Sequence, residues 1–261
     1  MAFGNLVLAG IFLQTMDFNA ALKQFATLGR ARARIENVCD GVSRWLVALK
    51  DDGELLASES EIVAPQSVVP IRELYLLPQR LEAGTAQALA PLSRRAKHAW
   101  LAAREVRARP SEAALAALAS ADLIVFGPGT QHSSLLPSYR IVAEAIGRSP
   151  ALAKVLVANL RPDLDDSGGS VSELIYRALR FMGDPKNQRR SVTHALVDVT
   201  GPEAGGLPPG QLAGMSRWRG ITLIWKDWRD PRRADRHDGV QVARELTSLL
   251  MQPELRCEPV Q

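Results

Sequence analysis

Cysteine is nearly absent: Cys39 and Cys257 stand far apart without partner spacing in a chain of 261 residues. That excludes a disulfide framework and a cysteine zinc site. Histidine is also sparse, and no two of His98, His132, His194 and His237 have the spacing of a metal motif such as His-Glu-x-x-His. Aromatic residues make up 5% and do not interleave with the basic clusters Arg30, Arg32, Arg34 and Arg229, Arg232, Arg233, Arg236. A single-strand nucleic-acid groove needs that interleaving, so nucleic acid is not an expected partner. The longest early apolar run, Leu6 to Leu13, is too short to span a bilayer and lacks a secretory leader pattern. No membrane partner is expected, and the location expected is the cytoplasm. The Walker lysine loop and the GxGxxG fingerprint are missing too, which argues against a nicotinamide-dependent oxidoreductase.

With 46% hydrophobic and 23% charged residues, the chain can bury a core as a single domain over 1–261. The net charge of +4 suits an anionic ligand but fits an ordinary solvated surface equally well. Asp17 and Gly29 bracket apolar residues at helical spacing, from Phe18 to Leu28. Strand-like runs follow at Ala33 to Val38, Trp45 to Leu49, Leu55 to Ala57 and Arg72 to Leu77, with an Asp52-Gly53 turn. Residues 79–110 read as a helical insertion with freedom to move. From Ser111 onward helices alternate with apolar strands: a helix to Ala119, the strand Ala121 to Phe126, a helix near Tyr139 to Ile146 and the strand Lys154 to Ala158. A helix from Val171 to Met182 and the strand Ser191 to Val199 continue the pattern. That rhythm predicts an α/β fold with a mostly parallel sheet. A Gly/Pro loop over 201–209, a last strand Gly220 to Trp225, a helix Val240 to Met251 and a frayed tail over 252–261 complete the expectation.

The strongest site signal is the strand that runs into Gly127, Pro128, Gly129 and Thr130, with Ser133 and Ser134 close behind. Glycines let backbone N–H groups approach an anion, and the hydroxyls add donors to phosphate oxygens. Ligands of open parallel sheets bind beyond the carboxyl ends of the strands, where this loop falls. Pro137 would open the next helix, whose N-terminus favours negative charge. A tight strand-to-helix turn with hydroxyl caps explains the same residues. His132 in this loop is a candidate contact, acid or base. Asp163, Asp165 and Asp166 could hold magnesium through ligand phosphates, or simply cap a helix. Asn5, just ahead of a helical-looking run, could bond a ligand or cap that helix, and Asn37 and Asp40 are further polar candidates.

These segments resemble the 2-phospho-L-lactate transferase (CofD-like) family, which includes the YvcK-type gluconeogenesis factors. The resemblance lies in Phe3 to Gly10 (FGNLVLAG), Asn37 to Asp40 (NVCD), Asp52-Gly53, Ser58-Glu59 and Glu61-Ile62. Ala121 to Thr130 (ADLIVFGPGT), Ser133 to Pro137 (SSLLP) and Val157 to Leu160 (VANL) extend it. It implies a Rossmann-like three-layer domain in which Gly127, Pro128, Gly129, Thr130, Ser133 and Ser134 line the phosphate end of a nucleotide pocket. Asn5, Asp40, His132 and Asn159 are the other candidates for that cleft, while catalytic and metal residues stay unassigned. In the transferase branch the resemblance implies a guanylyl-activated phospholactate-type donor, a deazaflavin alcohol acceptor, release of GMP and help from Mg2+. The alternative it implies is a non-catalytic regulator that binds a UDP-sugar or dinucleotide. The expected partner is therefore a nucleotide or phosphorylated small molecule, and a homodimer stays open as the assembly. The family carries a strand, a glycine-rich loop and a metal-holding aspartate ahead of the Gly-Asn motif, whereas the sequence given starts at that motif.

Overall fold

A computed structural model of the chain describes residues 3–67, 69–162, 169–200 and 210–251. Asp163, Asp165, Asp166, the 201–209 loop, Cys257 and the 252–261 tail lie outside the described residues. The described chain opens with a helical hairpin, α1 (Phe3–Thr15) and α2 (Phe18–Leu28). Asp17 caps α2 as expected, its carboxylate accepting from Asn19 N at 2.8 Å and Ala20 N at 3.0 Å. Asn5 caps nothing: α1 already runs from Phe3, so Asn5 sits inside the helix and is exposed. Ala33 to Val38 forms no strand either. Its arginine-rich stretch offers no continuous apolar face for a sheet, and its end pairs with residues 109–111 through Ser111 N to Val38 O, next to Asp40 N to Arg109 O.

A small antiparallel sheet follows, built from β1 (Trp45–Lys50), β2 (Leu55–Leu56) and β3 (Ile71–Leu77) in the order β2-β1-β3. Gly53, at φ +90°, makes the tight turn after β1 that a residue with a side chain would strain. A short helix, α3 (Glu59–Val63), is capped by Ser58. Because side chains alternate across a strand, Val47, Leu49, Tyr75 and Leu77 face outward from the core of the molecule and need cover. The 79–110 insertion supplies it as two helices, α4 (Ala83–Leu89) and α5 (Arg94–Ala102), which contribute Leu89 and Leu101. Lys97 of α5 donates to Gly53 O at 2.7 Å, and Tyr75 meets His98 Nδ1 at 2.6 Å. The insertion then returns along β3, with Val106 N bonded to Leu76 O.

The main sheet comes from α6 (Glu112–Ser120), β4 (Leu123–Phe126), a π-turn at Gln131–Leu135, α7 (Leu136–Ile141), α8 (Ala143–Arg148), β5 (Ala153–Val157), α9 (Val171–Phe181) and β6 (His194–Asp198). It is completed by β7 (Arg217–Trp218), β8 (Ile221–Lys226), the ribbon β9 (Arg229–Asp230) and β10 (Arg233–His237), and α10 (Gly239–Met251). Its order is β4-β5-β6-β8-β7, with every pair parallel except β7 with β8. One face buries Ile124, Phe126, Leu156, Ala195 and Leu223 under α7 and α9, while Val155, Val157 and Leu196 on the other meet Leu246 and Leu249 of α10. Burying each of these side chains larger than alanine is worth about 1.5–3 kcal/mol. This is the expected α/β three-layer architecture with a mostly parallel sheet.

Three elements differ in detail. The helix expected near Tyr139 to Ile146 is two, because Val142 leaves helical geometry at φ −106°, ψ 17°. β6 starts at His194 rather than Ser191, since Ser191 and Val192 bond to Asp184 and Asn187 instead of a ladder. β8 is not the last strand: the charged β9 and β10 pair after it, in a ribbon whose polar sequence carries no apolar alternation.

Candidate functional site

The loop Gly127–Thr130 leaves the carboxyl end of β4, the position at which open parallel sheets bind ligands. A Cβ built on Gly127 would meet no heavy atom within 4 Å, and Gly127 is not in the left-handed region. Neither backbone geometry nor packing therefore requires glycine there. What it leaves is open space over a strand end. A Cβ on Gly129 would come no closer than 3.8 Å to Leu135.

Asn159, just past β5, holds the loop from its neighbour. Its Oδ1 accepts from Gly129 N at 3.0 Å, and its Nδ2 donates to Gly129 O at 3.1 Å. The side chain thus replaces a ladder partner where the backbones diverge, and positions the loop. Beyond Gly129, Leu135 N bonds to Thr130 O at 3.2 Å to close the π-turn, and the Ser133 and Ser134 hydroxyls lie 3.3 Å apart. Thr130 and Ser133 are half-buried, Ser134 and Pro128 exposed, and His132 buried. Gln131 is buried as well, and its Oε1 has no hydrogen-bond partner among the described residues. An unsatisfied buried acceptor costs about 1–3 kcal/mol. The helix opened by Pro137 is only six residues long and follows a π-turn, so it adds little dipole to the loop.

The same sheet edge carries residues that the sequence did not single out. Asp198, ending β6, accepts from Trp228 N at 3.1 Å and Thr200 N at 2.9 Å, takes the Thr200 hydroxyl, and lies 3.4 Å from Arg229 Nε. His237 of β10 donates from Nε2 to Ala158 O at 3.1 Å, one residue before the Asn159 clamp. Burial pushes its pKa down from the usual imidazole value, against the opposing pull of that carbonyl. The ribbon with Arg229, Arg232, Arg233 and Arg236 is thereby tied to the edge that holds the loop. One signal was available: Asp198 and Lys226 each end an apolar run, where ligand-edge residues of a parallel sheet fall.

Two candidates are not joined to the loop by any hydrogen bond among the described residues. Asn5 is exposed on α1. Both carboxylate oxygens of Asp40 are taken by Arg44, at 2.8 Å each, and this pairing holds its pKa at about 2. Among the described residues no three His, Cys, Asp or Glu side chains converge to hold a metal ion. Asp198, the carboxylate at the sheet edge, is taken up by its own neighbours, and the carboxylates read as magnesium candidates, Asp163, Asp165 and Asp166, lie outside the described residues. No described helix is long and apolar enough to cross a membrane.

The chain is similar to several known proteins. The chain is 25% identical over 170 residues to a gluconeogenesis factor of Halalkalibacterium halodurans and 24% identical over 161 residues to one of Bacillus subtilis. It is 29% identical over 162 residues to a putative gluconeogenesis factor of Aquifex aeolicus. Those matches cover 64%, 61% and 61% of this chain but only 43%, 41% and 40% of the relatives, so the chain matches about two-fifths of their length. Two crystal structures of a Bacillus halodurans protein, one described as a member of the UPF0052 family, superpose with TM-scores of 0.71 and 0.70 at 21% identity. They match 95% and 94% of this chain and 72% of theirs. That likeness speaks for the fold alone. The family model described as 2-phospho-L-lactate transferase CofD matches residues 1–208, from α1 through β6 and the glycine loop, and the chain belongs to that family.

Proposed function

We propose that this chain binds the phosphate end of a nucleotide or phosphorylated metabolite at Gly127–Thr130, with the Ser133 and Ser134 hydroxyls as further donors. The open space over Gly127, at a strand's carboxyl end and in a loop braced by Asn159, carries this reading. The orphaned Gln131 Oε1 beside it supports a polar ligand or water at the same place. On the family's description the reaction served is transfer of 2-phospho-L-lactate, for which the sequence resemblance implies a guanylyl-activated donor and a deazaflavin alcohol acceptor. Three relatives bear the name gluconeogenesis factor. The relatives' name motivates a second reading, a non-catalytic regulator that binds a UDP-sugar or dinucleotide in the same loop.

Calorimetry with GDP, a UDP-sugar and NAD, each with and without Mg2+, separates the two. Saturable GDP binding strengthened by Mg2+, with GMP released from a guanylyl donor, is expected of the transferase. Preference for the UDP-sugar without turnover is expected of the regulator. Failure of all three to bind would sink both.

A further inference from the structure

A second concavity lies away from the glycine loop, in the seam between the small sheet and the helical layer of the main one. It encloses about 980 Å3, at the upper end of small-molecule pockets. The register pairs Leu46 with Leu76, and alternation puts Leu74 on the same face, so the inner face of the small sheet forms one wall. Leu115 and Ala119, one helical turn apart on α6, form another. Ile141 and Phe181 complete the lining, and with Leu46 they belong to the margin of the main core while remaining only partly buried. Apolar side chains from two layers converge on this space without filling it. A core left incomplete in this way gains by burying further apolar surface.

The charged groups at the mouth identify the occupant. Three arginines, Arg107, Arg140 and Arg148, face two glutamates, Glu105 and Glu144. Arg140 is committed to the fold, bonding Leu74 O at 3.0 Å and pairing with Glu105 at 2.7 Å. Among the described residues Arg148 pairs only with Glu144, one turn away on α8, and the two side chains are 80% and 70% exposed. Such exposed pairs are weak, so exchanging Glu144 for a ligand anion costs little. Arg107 is exposed and makes no ion pair among the described residues. The rim therefore holds two available guanidiniums above an apolar chamber. A cationic or wholly apolar guest would leave them unused, and a flat protein surface would not reach the floor.

We propose that this cavity binds an elongated amphipathic anion, an alkyl carboxylate or alkyl phosphate, with its chain among Leu46, Leu115 and Ile141 and its head group on Arg107 and Arg148. The site is independent of the nucleotide reading, although α7 borders the glycine loop at one end and this cavity at the other. The test is calorimetric titration of the full chain with dodecanoate and with dodecyl phosphate, below their micelle concentrations, against dodecyltrimethylammonium. One anion or both should bind saturably with one-to-one stoichiometry, and the stronger of the two identifies the head group. The cation should bind at least about tenfold more weakly. Charge reversal at the exposed rim, Arg107→Glu with Arg148→Glu, should cost the anions about tenfold. Leu115→Trp, which fills the chamber from a side chain that is 37% exposed, should abolish their binding while circular dichroism stays unchanged. If that variant does not fold, Ala119→Met fills the same wall. Absence of binding, equal affinity for anion and cation, or indifference to the rim reversal would overturn the proposal. So would self-association of the wild type that Leu115→Trp abolishes, because a second copy would then be the occupant.

Discussion

At the amino ends of β5 and β6 the polar groups are used up by one another, whereas at the carboxyl ends of the same sheet a loop is held open. Asp184 accepts from Gln188 N at 2.7 Å, Arg189 N at 3.0 Å and the Ser191 hydroxyl at 2.9 Å. Asn187 bonds Val192 through both its oxygen and its amide, and Lys154 donates to Ile146 O at 2.7 Å. Burial holds the Lys154 pKa below the usual lysine value, yet its ammonium completes the end of α8. At the opposite end Asn159 and Asp198 are equally well bonded, but Asn159 spends its bonds on Gly129, in a loop whose Gly127 faces open space. Hydrogen bonds of one chemistry thus close one end of the sheet and shape the other. A residue's burial and bonding alone do not say which purpose it serves.

Breaking the closed end should give the largest effect. Asp184→Ala removes a carboxylate that is only 4% exposed and strands two backbone N–H groups and a hydroxyl. A loss of about 3–4 kcal/mol in denaturant unfolding is expected. The affinity of the folded fraction for GDP should not change. A change in affinity without a change in stability would mean that the two ends are coupled.

Gly127→Val applies the reverse test to the open end. Space is available for the side chain, so stability should move by no more than about 0.5 kcal/mol. Affinity for the phosphate-bearing ligand should fall at least about tenfold, because the valine occupies the approach to the strand end. Unchanged affinity would make the loop a plain turn. A large loss of stability instead would show that the glycine serves the fold.

How much of this was legible in the sequence depended on apolar pattern. Cores buried on both faces write themselves as runs such as Leu123 to Phe126 and Ala153 to Val157, and those strands were read within a residue or two. Asp17 and Ser111 marked helix starts because a capping side chain must be adjacent to the amides it serves. The β9–β10 ribbon was invisible: its arginines and aspartates alternate in no apolar sense, and its pairing rests on backbone bonds and on His237 reaching Ala158, 79 positions away. Asn159 was named as a cleft residue, but its role as a clamp needed the 30-residue separation from Gly129 to be closed in space. Asn5 went astray because a helix that begins upstream of an asparagine looks, residue by residue, like one that begins at it.

Asp40 offers the smallest and most discriminating test, since it lies in a segment that the family resemblance assigns to the cleft while its visible bonds are all structural. Arg44 holds its carboxyl at about 2, below the ordinary value of 3.8, with burial opposing and the Val42 and Arg109 backbone contacts assisting. A depressed carboxylate contributes stability that is complete above its unfolded pKa and is lost as pH falls through the folded one. The contribution should therefore be full above about pH 4 and gone near pH 2, and its size on the order of 1–2 kcal/mol. Urea unfolding of Asp40→Asn should show that deficit at pH 6, shrinking toward nothing as the wild type is acidified across this window. GDP titration of the same variant at pH 7 decides which end of the comparison Asp40 belongs to. Unaltered affinity makes it a brace between residues 40–44 and the start of α6, whereas a tenfold loss puts its carboxylate at the ligand despite the Arg44 pair.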